Sequence, residues 1–338
     1  MRKIRIDADI EGIAAEFNQQ LSTHKKKVIP ALDNLKDAFD GSHSVTMGGK
    51  PMNSADVNRY HQYVEKLKND YNEGTLTLMK PNSFETAYLG YNAILSDAEL
   101  SWKISIDKDD AKNLHKRIIE AMGYQKYVRN EIFPKLMKKI GVKACVYCNA
   151  NYTIGTTDGD GFFELDHWKP ESKYPFLCTS FYNLQPSCPH CNKRKGSDSK
   201  GKYLKLYEEN PSEDLDVFEF EIPKGSLVRY FNSLDTSQLK VKFKAKDVSQ
   251  VDLRNKADEK FGIESIYNEH MDVVEEMMWR AKFYNDSVFK SMAWAFGKRW
   301  PIVDMARFKL GTYGDVNEIH KRPLSLLMQD IGKQLGLI

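Results

Sequence analysis

Apolar residues recur at helical spacing through most of the chain up to residue 143. In EGIAAEFNQQLSTHKKKVIPALDNLKDAF they fall three and four apart, which predicts helix with a break at Pro30. NRYHQYVEKLKNDY repeats the pattern, and Asn72-Glu73-Gly74 supplies a stop. Between the two, MGGKPMNSAD is rich in Gly, Pro and Ser and reads as a loop. RKIRI at the start alternates and predicts a short strand. LHKRIIEAMGYQKYVRNEIFPKLMKKIG predicts one basic amphipathic helix, or two split near Gly123 and Pro134, whose Lys and Arg residues could face phosphates but more often form a solvated face.

Residues 144–205 break this rhythm, with turns and short strands in place of a helical period. NYTIGTT and GFFELDHW flank Asp158-Gly159-Asp160-Gly161, which predicts a hairpin. The tetrapeptide has the start of a calcium loop but lacks the later ligands, so it reads as a turn. Beyond, YEENPSEDLDVFEFE predicts a solvated acidic loop leading into a strand, and SLVRYFN and QLKVKFKAK alternate like strands. Helical spacing returns at residue 250. In IYNEHMDVVEEMMWRAKFYNDSVFKSMAWAF it assigns Met277, Met278, Trp279 and Phe283 to the core. RPLSLLMQDIGKQLGL predicts a short amphipathic helix that docks on this chain or on a partner. The expected class is α+β. A mostly helical protein holds a central module at 144–205, between a helical region at 1–143 and a mainly helical region with a few strands at 206–338.

Composition narrows the function classes. The 338 residues are 41% apolar and 29% charged, ordinary for a globular protein, and the net charge is only +3. Any nucleic-acid surface is therefore a local patch. No run approaches the ~18 apolar residues of a membrane span, and the start lacks a secretory apolar core, so the expected location is the cytoplasm with no membrane partner. The five cysteines all fall in one window. Cys145-Val146-Tyr147-Cys148 and Cys188-Pro189-His190-Cys191 are two knuckles, each able to turn two thiolates toward one ion. Together they predict a structural zinc held by Cys145, Cys148, Cys188 and Cys191. His190 is then a spectator, and Cys178 packs as a small apolar residue. A closed sulfur shell has no open position for chemistry.

Inside and just past this clasp lie Asp166-His167 in ELDHWKP, Asn183 in FYNLQP and Asn192 in CNKRKG. With both knuckles, this window resembles the HNH endonuclease family in its four-cysteine zinc form, over about 60 residues of the chain. The resemblance implies a ββα-metal fold. It implies His167, at the end of the hairpin's second strand, as the base that activates water, and Asp166 as a ligand to a catalytic divalent metal. It implies Asn183 as the residue that constrains the loop and orients the histidine. Asn192 stands where the name-giving motif has its last histidine and would be the second metal ligand. An oxygen-rich pair favours Mg²⁺ or Mn²⁺. Neighbouring residues on a strand point to opposite faces, so Asp166 and His167 converge only if the strand ends or bends there.

The basic run KRKGSDSKGKYLK follows, and Lys193, Arg194 and Lys195 are expected to contact nucleic-acid phosphates, DNA ahead of RNA. Trp168 and Tyr174 are assigned to packing. The alternatives are a non-catalytic zinc module that binds nucleic acid or protein, and a stand-alone restriction-type nuclease. The window and its helical flank are similar to HNH effector subunits of bacterial antiphage systems, Septu-type systems among them. That similarity implies an ATPase partner, and the chain has no phosphate loop of its own.

Overall fold

A computed structural model of the chain describes residues 1–156, 158–198, 203–283, 286–295 and 302–338. The N-terminal region opens with β1 (Ile4–Arg5) and α1 (Ala8–Ser22), whose N-cap Asp7 accepts from the Ile10 amide. Ile10, Ile13, Ala14, Phe17 and Leu21 form its buried stripe. The next helix, α2 (Lys25–Asp37), contains Pro30. The break falls at Thr23-His24 instead. Pro30 lies on the exposed side of α2, where the carbonyl that loses its helical partner is open to water.

The segment expected as a loop is a hairpin, β2 (Val45–Met47) and β3 (Lys50–Pro51). Gly48 and Gly49 both take positive φ, as a type I′ turn requires, and Pro51 is tolerated because β3 is an edge strand. Helix α3 (Ser54–Glu73) stops at Gly74, which is left-handed with φ 81°. After α4 (Phe84–Asn92) and α5 (Asp97–Leu100), β4 (Lys103–Ile106) and β5 (Lys112–Asn113) complete a four-stranded sheet in the order β3-β2-β4-β5. The basic amphipathic segment is divided as expected at Gly123. It forms α6 (Leu114–Ala121), a π-helix (Tyr124–Ile132) and α7 (Phe133–Ile140) with Pro134 in its first turn.

In the central module, β6 (Ile154–Gly155) and β7 (Gly161–Phe162) form the expected Asp-Gly-Asp-Gly hairpin. The strand carrying the acid–histidine pair is separate: β8 (Glu164–His167) pairs antiparallel with β9 (Leu184–Ser187), and α8 (Pro189–Lys195) follows at once. His167 therefore ends a strand of the β8–β9 pair and not of the short hairpin. Phe163, buried and outside both ladders, marks where the chain changes partner.

The acidic stretch includes β10 (Tyr207–Glu208), which pairs parallel with β1. Glu208 is buried there, between the ammonium groups of Lys3 and Lys205. It continues to β11 (Phe218–Glu221). SLVRYFN lies in a helix, α9 (Lys224–Ser233), not a strand; Ser226 and Tyr230 are buried four residues apart, the helical interval that the apparent alternation concealed. β12 (Lys242–Ala245) is the strand expected in QLKVKFKAK, and it pairs antiparallel with β11. Helices α10 (Val251–Phe261), α11 (Ile263–Asn268), α12 (Met271–Phe283), α13 (Asp286–Ala295), α14 (Ile302–Leu310) and α15 (Ser325–Gln334) complete the order. Met277 and Met278 are core, but Trp279 and Phe283 stack on each other at the surface. They lie beyond the width of the stripe that α12 buries. Helix α15 docks on this chain, with Asp330 accepting from the Phe220 amide and Gln334 from that of Ile222. Among the described residues no helix is long and apolar enough to cross a membrane.

Candidate active site

The four knuckle cysteines are buried, and their sulfurs lie within 4.8 Å of one another. Cys148 and Cys188 sulfurs are 4.0 Å apart, close to the ~3.8 Å edge of a tetrahedron built on ~2.3 Å zinc–sulfur bonds. Donors already point at the sulfurs: the Cys188 amide at Cys145, the Ala150 amide at Cys148, and the Asn151 carboxamide at Cys148 and Cys188. N–H groups aimed at sulfur suit thiolates, and the set fits zinc. Asn149 closes the first knuckle at φ 52°, and its side chain is tied to Ile319 and Leu326 of the C-terminal region. His190 is exposed and outside the cluster. Cys178 is buried, with its sulfur 3.5 Å from that of Met122.

Asp166 and His167 leave β8 on opposite faces, and the strand ends at His167, so both line one cavity of about 680 Å³. The His167 Nε2 lies 2.9 Å from the Cys178 carbonyl oxygen. A carbonyl only accepts, so in the neutral ring Nε2 carries the proton and Nδ1 the lone pair. Nδ1 is 3.5 Å from the Glu171 carboxylate, and the Tyr124 ring packs 4.6 Å from the imidazole. Asn183 is fully buried. Its side chain accepts from the Lys169 amide and donates to the Lys169 and Leu177 carbonyls, which clamps the loop leaving His167 to the loop that supplies the Cys178 carbonyl. Trp168 and Tyr174 pack as expected, the indole donating to the Tyr203 carbonyl and the phenol being buried.

On the other face, Lys195 lies 3.0 and 2.9 Å from the two oxygens of Asp166 and 2.6 Å from the His167 carbonyl. The Tyr147 hydroxyl also donates to Asp166, and Gln185 supports that hydroxyl from β9. Burial, and then the neighbouring Asp166 charge, push the Tyr147 phenol well above its ordinary pKa, so it stays a donor. Lys195 was expected to reach outward to phosphate with Lys193 and Arg194. Those two are exposed, but Lys195 is 1% exposed and turned inward. The reason is helical spacing: it stands four residues after the buried Cys191, on the same side of α8. Of the other lysines in that run, Lys200 and Lys202 lie outside the described residues and Lys205 pairs with Glu208.

Asn192 is half-buried on the cavity wall. A carboxylate offers about four acceptor positions, and Lys195 and Tyr147 take three of those of Asp166. One remains, on a residue that lines the cavity together with Asn192. These are hard oxygen donors with room for retained waters, and they fit Mg²⁺ or Mn²⁺. Sequence reasoning did not single out Glu171, Tyr124 and Arg129 on this cavity's wall, nor Tyr147 behind Asp166; the knuckle around Tyr147 and the basic run around Arg129 were the local signals.

Two short antiparallel strands, a following helix and a sulfur cluster at that helix's start give this module a ββα order. Residues 144–198 match the family profile described as HNH endonuclease. The chain is also similar to the Septu protein PtuB of Bacillus thuringiensis, 32% identical over 97 residues, 28% of this chain and 36% of that protein. No solved structure matches the chain.

Proposed function

We propose that this protein hydrolyses nucleic-acid phosphodiester bonds, in DNA ahead of RNA, with His167 as the general base. The observation that carries the reading is the orientation of that ring. Nε2 is held by the Cys178 carbonyl, and Nδ1 opens on a cavity shared with Asp166 and Asn192. His167 Nδ1 takes the proton of a water whose oxygen attacks phosphorus, and the bond to the leaving oxygen breaks. Asn183 keeps the ring aimed by fixing both loops that frame it. Lys195 balances the Asp166 charge and holds the His167 carbonyl, so the strand end cannot turn. Asp166 and Asn192 would hold a divalent cation, which would supply charge relief at the phosphate and at the leaving oxygen. Lys193, exposed on the cavity wall, and Arg194, exposed beside it on α8, would grip the backbone.

The PtuB likeness and the HNH module support a setting in antiphage defence, where this chain acts with an ATPase partner. The test is cleavage of matched DNA and RNA substrates by the full chain, alone and with its co-expressed genomic neighbours. Cleavage with Mg²⁺ or Mn²⁺ that stops on chelation is expected, together with co-elution of an ATPase. No cleavage in either preparation contradicts the hydrolase reading, and a fully active lone monomer contradicts the partnered one.

A further inference from the structure

One wall of the cavity comes from outside the module, from the π-helix Tyr124–Ile132. It is entered through Gly123 at φ 66°, where a side chain would meet the Tyr127 ring. Tyr124 donates to the Leu165 carbonyl at 2.7 Å and packs its ring against His167. Arg129 donates to Glu164 at 2.6 Å, at the other end of the same strand. In an α-helix, residues five apart stand about 140° around the axis. The i→i+5 register of a π-helix brings them toward one side, and such turns are frequent at functional sites. The unusual helix is therefore what lets Tyr124 and Arg129 both face β8, and both line the cavity.

The cavity's cations differ in what holds them. Lys195 is buried and committed to Asp166. Arg129 and Glu164 are 30% and 33% exposed, and a pair that open contributes only about 0–1 kcal/mol. A phosphodiester can displace Glu164 at little cost, and the guanidinium fork matches two phosphate oxygens. We infer that Arg129 is a phosphate-binding residue of the substrate site, supplied by the N-terminal region, with Glu164 as its resting partner. The inference rests on the nuclease reading. It makes the 144–205 module incomplete without the helical region before it.

The test uses the full chain carrying His167→Ala, a fluorescein-labelled DNA duplex read by anisotropy over a salt series, and thermal melts. Arg129→Gln should weaken binding about tenfold and lower the salt slope by about one. Arg129→Lys, which keeps the charge without the fork, should fall between. Glu164→Gln should tighten binding several-fold by releasing Arg129. A purely structural ion pair gives the opposite pattern: both Gln variants lose stability and weaken binding together, which overturns the inference. Unchanged binding in Arg129→Gln also overturns it. If Arg129→Gln fails to fold, the sign of the Glu164→Gln change decides. No binding of DNA or RNA by the parent protein overturns the nuclease reading itself.

Discussion

Cys191 and Lys195 stand four residues apart on one short helix and serve two different kinds of site. Cys191 enters a shell of four sulfurs that is closed, buried and fed by N–H donors. Lys195 enters a polar cluster of Asp166, Tyr147 and the His167 carbonyl, on the wall of an open cavity. The first brings two distant chain segments together; the second fixes a buried carboxylate with a counter-charge and a hydroxyl. They are also joined, because Tyr147 sits between Cys145 and Cys148 and donates to Asp166. The clasp thus sets the position of the Asp166 carboxylate through Tyr147.

Breaking the clasp should have the largest effect. Cys188→Ser should drop zinc from about one per chain to near zero by metal analysis and unfold the module, since apparent zinc energies in small clasps reach about 10 kcal/mol or more. Lys195→Met comes next. It leaves Asp166 buried without its counter-charge, at a cost of about 3–5 kcal/mol by chemical denaturation, with zinc retained. Tyr147→Phe separates the two sites most finely. Losing a hydrogen bond to a charged group should cost about 1.5–3 kcal/mol and weaken Mn²⁺ binding, while zinc content stays unchanged.

The smallest effect concerns the strap behind the clasp. The His320 carbonyl accepts from the Lys143 and Ala144 amides at the entrance to the first knuckle. Burial pushes the His320 imidazole down to about 3, below its unfolded value near 6.5. The unfolded chain then binds the extra proton between these values. The stabilisation is complete above pH 6.5 and is lost progressively as pH falls toward 3. Melting temperatures measured from pH 7 to pH 5 should decline in the wild type and decline less in His320→Gln.

How much of this was legible in the chain follows from how local each feature is. Two knuckles, an Asp-His pair and two asparagines are local patterns, so the sulfur cluster, the buried Asn183 and the cavity residues Asp166, His167 and Asn192 could be named by number. The direction of Lys195 was legible as well, in its spacing from Cys191, but the charge run hid it. The β8–β9 pairing was not, since a strong turn at 158–161 competes for the same strand. SLVRYFN alternates locally and becomes a helix because Ser226 and Tyr230 meet the core. Arg129 is set by a π-helical register that five residues of sequence do not announce, and only tertiary packing brings it beside β8.

His167 Nδ1 is the base proposed for a metal-dependent phosphodiester hydrolysis. The most direct measurement is the cleavage rate of a DNA substrate in Mg²⁺ or Mn²⁺, for the wild type and for His167→Ala of unchanged zinc content and melting temperature. A fall of about 10²–10⁴-fold is predicted, the usual contribution of a general base. Cleavage at the wild-type rate by the folded variant would contradict it.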